Sequence, residues 1–195
     1  MTLSTLEPLP ASALEGRTEE VARRLLGCTL VSRLGGAVTA GIIVETEAYG
    51  SDDPACHAFR GPTARNAAMF MAAGTLYVYR IYGVHCCANV VTGPAGVGEA
   101  VLIRALEPVQ GQDAMHSRRG VEEDRMLCSG PGKLCAALGI DVAANGSDLF
   151  SGPVTLLEAP AALQEVRVGP RIGVTKAADR HWRFCVAGSC YVSRK

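Results

Sequence analysis

Glu45, Glu47 and Tyr49 fall at alternate positions of the run V-E-T-E-A-Y (Val44–Tyr49). A β-strand has a side-chain period of two, so an extended backbone here puts two carboxyls and a phenol on one face. Side chains two apart on a strand are separated by about 6.5–7 Å, which leaves room for a water between two carboxyls. A carboxyl beside a water is an elementary device for hydrolysing a glycosidic bond. Tyr77 and Tyr79 repeat the alternation in G-T-L-Y-V-Y-R-I-Y-G (Gly74–Gly83), and His57 closes the loop between the two blocks. Planar rings around a carboxyl offer stacking to a flat ligand. Tyr82 beside Gly83 is a large aromatic at a turn, either covered by a neighbour or presented to a partner. On the residues alone two readings stay open. Glu45 and Glu47 form the acid–base pair of a glycoside or nucleoside hydrolase, or they are strand carboxyls neutralised by arginines such as Arg104.

The elements that must position these groups can be read coarsely. Thr18 caps a short helix through Leu26, and Gly27 lies past its end. Cys28 to Arg33 is a strand, and Gly35-Gly36 turns it into a long strand reaching Tyr49. Residues 50–60 are loop, and 64–71 a helical turn or two. Further strands span 75–80, 85–91 and 100–106. Pro108 opens a helix to about Arg118, and Pro131 another through Leu138. Short strands at 184–186 and 190–192 close the chain. Strands and helices do not alternate regularly, which predicts an α+β domain with a curved, mostly antiparallel sheet flanked by short helices. One domain spans 1–195, with 1–12 a loosely ordered lead-in.

Bulk properties narrow the function. The 195 residues carry 19 basic and 19 acidic side chains, a net charge of zero, and 48% are apolar. A globular domain with a substantial core follows, and a large sequence-independent polyanion binder is disfavoured. A basic cluster runs from Arg167 through Arg171, Lys176, Arg180 and Arg183 to Arg194 and Lys195 against a lone Asp179. No apolar run is long enough to cross a bilayer, and the N-terminus lacks the pattern of a signal peptide, so a cytoplasmic protein is expected. The eight cysteines include no C-x-x-C pair and read as reduced thiols packed as small apolar groups. Neither G-x-G-x-x-G, a P-loop nor G-x-S-x-G occurs, which weakens nucleotide-cofactor and serine-hydrolase readings.

Seven blocks occur in order: E-V-A-R-R-L-L-G (Glu20–Gly27), V-E-T-E-A-Y, R-N-A-A-M-F (Arg65–Phe70), G-T-L-Y-V-Y-R-I-Y-G, L-I-R-A-L-E-P (Leu102–Pro108), C-S-G-P-G-K-L-C (Cys128–Cys135) and R-I-G-V (Arg171–Val174). Together the chain resembles the alkyladenine, or 3-methyladenine, DNA glycosylase family of base-excision repair. The resemblance implies a monofunctional enzyme that flips a damaged purine from duplex DNA and hydrolyses its N-glycosidic bond. Its lesions would be 3-methyladenine, 7-methylguanine, hypoxanthine and ethenoadenine. It implies Glu47 as the general base and Arg104 as the group holding the water or Glu47, with backbone carbonyls of 171–174 near that water. Tyr49, His57 and Tyr79 would sandwich the flipped base, and Asn89 would exclude the 2-amino group of guanine. A backbone N–H near His57 would meet an acceptor at purine position 6. Tyr82, on a protruding hairpin, would intercalate into the vacated space. Arg65, Lys133 and Arg171 are candidate phosphate contacts. Glu45 is expected to act structurally, and no lysine in the pocket motifs supports strand cleavage through a Schiff base. No cofactor or metal is expected. The partner is double-stranded DNA with a damaged purine, met by a monomer at the bacterial nucleoid. A non-catalytic damage-binding module is the main rival outside enzymes.

Overall fold

The computed structural model describes residues 3–159 and 165–193. Arg194 and Lys195 of the basic cluster lie outside the described residues. Eight strands, β1 (Thr29–Ser32), β2 (Thr39–Tyr49), β3 (Leu76–Ile81), β4 (His85–Val91), β5 (Ala100–Gln110), β6 (Val154–Leu157), β7 (Val166–Gly169) and β8 (Arg183–Val186), form one sheet. Its main order is β3-β4-β5-β2-β1-β6, with β8 beside β2 and β7 on β8, and all pairings are antiparallel. Four short helices accompany it: α1 (Thr18–Arg24), α2 (Gln112–Arg119), α3 (Asp124–Leu127) and α4 (Pro131–Leu138). The α+β class and the antiparallel sheet expected from the sequence are what the chain adopts. No helix among the described residues is long and apolar enough to cross a membrane.

Alternation along the strands gives the sheet two faces with different cores. Leu76, Val78, Ala88, Val90, Val101 and Ile103 join the main apolar core with residues of α1 and α4. Tyr77, Val91 and Ala100 belong instead to a small second cluster with Cys56, Ala58 and Met69, against which Tyr49, Tyr79 and Phe70 pack. The loop between β2 and β3 therefore covers an aromatic face, and that face carries the site. All eight cysteines are free, and six are buried as small apolar groups.

Several local expectations are corrected. Pro108 does not open a helix: β5 continues through it to Gln110. It pairs with Gly41 where the ladder is irregular, a position that tolerates a residue without an N–H. Gly111 ends the strand at φ +77, where a Cβ would come within 2.4 Å of the Val38 carbonyl oxygen, and α2 starts after it. Thr18 is the first residue of α1, not its cap. Its hydroxyl donates to Glu99 (2.7 Å) and pairs with Thr92 (3.0 Å), which joins the helix to the sheet. Residues 190–192 form no strand. Within the 1–12 segment, buried Leu9 donates its N–H to the Leu156 carbonyl at 3.0 Å.

Candidate active site

A cavity of about 630 Å³ opens on the aromatic face. Its floor is Tyr49 from β2, Tyr77 and Tyr79 from β3, Asn89 from β4, and Leu102 and Arg104 from β5. Pro54 to His57 wall one side, Ile172 to Lys176 another, and Tyr82 stands at the mouth. The pairing Tyr77↔Asn89↔Leu102 puts three of these on one transverse row of the sheet. His57 meets Tyr79 edge-on at 4.5 Å between ring centres and 77° between planes, while Tyr77 and Tyr79 are stacked at 5.5 Å. His57 Nδ1 lies 3.1 Å from the Tyr77 hydroxyl. Burial, helped by Arg65, lowers the His57 pKa below its ordinary value, which favours the neutral imidazole. Asn89 is buried and donates to the Tyr77 carbonyl at 3.0 Å, which fixes its amide in the floor.

The two carboxyls look alike in the sequence and differ in the fold. Both are fully buried, and Arg104 bridges them, with Nε 3.0 Å from Glu45 Oε1 and Nη1 3.2 Å from Glu47 Oε2. A carboxylate offers about four lone-pair sites. Glu45 meets four donors, with Arg104, Arg183 (2.7 Å) and the Ser193 hydroxyl (2.9 Å) crowded on Oε1 and the Ser193 N–H (2.6 Å) on Oε2. Glu47 receives three donors: the Ile172 N–H on Oε1 at 2.7 Å, and Tyr49 (2.8 Å) and Arg104 on Oε2. Its three donor residues all line the cavity, whereas Arg183 and Ser193 do not. Glu47 itself does not line the cavity; it lies behind the lining, held by residues that the cavity touches.

The charges around this pair follow. Burial would raise the Glu45 pKa, but the Ser193 N–H, Arg104 and Arg183 outweigh it and hold the carboxyl below its ordinary value. Burial would lower Arg104, but Glu47 and Glu45 outweigh it and raise the guanidinium further. Burial and then Glu47 push the Tyr49 phenol upward, so it keeps its proton to donate.

Arg104 reaches both carboxyls because the β2–β5 ladder is irregular there. Ile43 faces Leu106, Glu45 faces Ala105 and Thr46 faces Ile103, so Arg104 has no opposite residue. Bulges of this kind re-aim side chains beside functional sites.

The β3–β4 hairpin projects its tip into solvent. Tyr82 is 86% exposed and Val84 75% exposed. Tyr82 and Gly83 have φ of +51° and +73°, and the Val84 N–H bonds back to the Ile81 carbonyl at 3.3 Å, the signature of a type I′ turn. A tyrosine in the left-handed region is strained, and such strain concentrates at functional positions.

The remaining expected residues fall in different places. Arg65 is exposed and donates to the Arg80 carbonyl at 3.0 Å. Lys133 lies in the first turn of α4, whose Pro131 lines the cavity, and its Nζ is 3.2 Å from the Ser129 hydroxyl. Arg171 is not at the surface: its side chain is solvent-excluded and paired with Asp53, which removes it as a phosphate contact. From the 171–174 segment, expected to supply carbonyls, the Ile172 N–H donates to Glu47 Oε1. Sequence reasoning missed that group because a backbone amide has no residue signature. It also missed Phe59 and Arg60 on the cavity wall, since isolated loop residues carry no periodic signal; Lys176 of the basic cluster joins them there. Arg60 and Lys176 are exposed and no acidic residue lines the cavity, a cationic mouth on a chain of zero net charge.

The model of the family described as methylpurine-DNA glycosylase (MPG) matches residues 12–190. A protein of Methanoculleus marisnigri is 53% identical over 191 residues, 96% of this chain and 99% of its own. One of Rhodopseudomonas palustris is 53% identical over 175 residues, covering 90% and 82% of the two chains. One of Agrobacterium fabrum is 49% identical over 195 residues, 100% and 97% of the two chains. All three carry the name "Putative 3-methyladenine DNA glycosylase".

Proposed function

The chain belongs to the methylpurine-DNA glycosylase family, and from that premise we propose that it excises alkylated purines, 3-methyladenine first among them, from duplex DNA by hydrolysis. The observation that carries the reading is the buried Glu47 carboxyl held by three cavity-lining residues, Tyr49, Arg104 and Ile172. A base inside a duplex cannot reach such a floor, so the nucleotide must be extruded at a cost of a few kcal/mol. The cationic mouth favours the phosphates on either side, with Arg65 and Lys133 as further contacts. The purine stacks among Tyr49, His57 and Tyr79, and a neutral His57 does not repel a cationic alkylpurine. Glu47 takes a proton from the water as its oxygen attacks the sugar C1′. The electrons of the breaking C1′–N bond go to the purine, so cationic 3-methyladenine leaves neutral and needs no acid. Hypoxanthine and ethenoadenine are neutral and leave more slowly, and hypoxanthine is read by a backbone N–H near His57. Asn89 excludes the guanine 2-amino group. The enzyme works as a monomer at the nucleoid, with no lyase step.

The Glu45–Glu47 acid–base reading is disfavoured because Glu45 is held by Arg183 and Ser193, neither of which lines the cavity. The direct test is single-turnover incubation of the protein with an alkylated duplex oligonucleotide and scoring of alkali-labile abasic sites. Abasic sites from wild type and none from Glu47→Gln support the proposal. Binding without excision by both proteins leaves only a damage-recognition module.

Tyr82 provides a prediction with two opposite signs. Tyr82→Asn relieves left-handed strain at an exposed position, and thermal unfolding should show a gain of up to about 1 kcal/mol. The same change removes the wedge, and base–aromatic stacking is worth about 1–3 kcal/mol, so excision should fall roughly tenfold. A loss of both stability and excision would mean that the tip is a structural turn.

A further inference from the structure

Asp53 and Arg171 form an ion pair whose side chains are solvent-excluded, and neither residue lines the cavity. The pair is bidentate, with Arg171 Nη1 on Asp53 Oδ2 and Nη2 3.1 Å from Oδ1. The same guanidinium donates to the Ala48 carbonyl at 3.0 Å and to the Ala177 carbonyl at 3.3 Å. It also lies 4.7 Å from the centre of the Tyr49 ring. One side chain thus ties the end of β2, the 50–57 loop and the 171–177 loop, which supply the floor and two walls of the cavity. Ala48 and Arg171 each adjoin a donor to Glu47. Ala48 sits between Glu47 and Tyr49, and the peptide following Arg171 carries the N–H that meets Glu47 Oε1. Arg171 Nε is buried without a partner among the described residues. A buried pair with an unsatisfied donor is a poor source of stability, because desolvating both charges offsets their attraction.

We propose that Asp53 and Arg171 are positioning residues for hydrolysis. The fork holds the 171–172 peptide and the Tyr49 ring so that their two donors stay on Glu47 behind the cavity wall. This rests on the reading of Glu47 as the base that activates water.

The test compares wild type, Asp53→Asn/Arg171→Gln and Arg171→Lys with Glu47→Gln on an alkylated duplex. The double variant leaves no unpaired charge inside, and Arg171→Lys keeps the charge but not the fork. Protein concentration is varied under single-turnover conditions, which separates the maximal rate from half-saturation. A misplaced reacting group can cost about 10- to 100-fold, and a fall of that size in the maximal rate with unchanged half-saturation is expected. Wild-type maximal rates in the folded variants overturn the proposal. So does a rate loss that tracks the unfolded fraction measured by circular dichroism. Undiminished excision by Glu47→Gln would instead overturn the underlying reading of the base.

Discussion

Glu47→Gln is expected to lower single-turnover excision by about 10²–10⁴-fold, the range that a positioned general base contributes. The amide has nearly the volume of the carboxyl, so the packing of a fully buried side chain is preserved. Its carbonyl oxygen can still accept from the Ile172 N–H, and Tyr49 can rotate its hydroxyl, but Arg104 Nη1 then faces an NH₂ group, so some stability is lost and the rate is read on the folded fraction. What is lost is the capacity to take a proton from water. Binding to lesion-containing DNA should therefore be retained, since the rings and the cationic mouth are unchanged. The measurement pairs a time course of abasic-site formation with a binding isotherm on the same duplex. Undiminished excision would remove Glu47 from the chemistry, whereas loss of binding together with excision would point to a collapsed floor.

Glu45→Gln is expected to act mainly on stability. It leaves Arg104 and Arg183 sharing a neutral amide in a buried site and gives the Ser193 N–H a poorer acceptor. Breaking a buried pair by removing one charge costs about 3–5 kcal/mol. Urea unfolding at neutral pH should show a loss of that order, while excision by the folded fraction falls far less than in Glu47→Gln. Complete loss of excision with the fold intact would revive Glu45 as half of an acid–base pair. The pH dependence has a definite sign. The folded pKa of Glu45 lies below its ordinary value of 4.5, so its stabilising contribution is present above that pH and is lost as pH falls through the folded value. The wild-type advantage over Glu45→Gln should therefore shrink below about pH 4.5 and be near its maximum at neutrality.

Much of the frame was legible because its signals are local. His85–Val91 alternates in the strand period and is β4 as expected, and Pro131 and Gly139 bracket α4 at the expected bounds. The same alternation puts Glu45, Glu47 and Tyr49 on one face, and all three converge on Arg104 or on one another. Pro108 misled because a proline often opens a helix, whereas here a long-range pairing with Gly41 keeps it in a strand. Thr18 misled because its hydroxyl finds Glu99 across the fold before any local N–H.

The sequence by itself determined the α+β class, the aromatic face, the two candidate carboxyls and the turn that presents Tyr82. All of these depend on a period of two or on the conformational limits of a few residues, which neighbours in the chain dictate. Tertiary structure decided which carboxyl is held by cavity-lining donors, where Arg104 points and that Arg171 is buried. Glu45 and Glu47 are equivalent to any local rule. They differ because Ser193 and Arg183 arrive at one from the far end of the chain, while the Ile172 N–H arrives at the other. Which donors a carboxyl meets is set by long-range contacts, and no local pattern in the sequence records them.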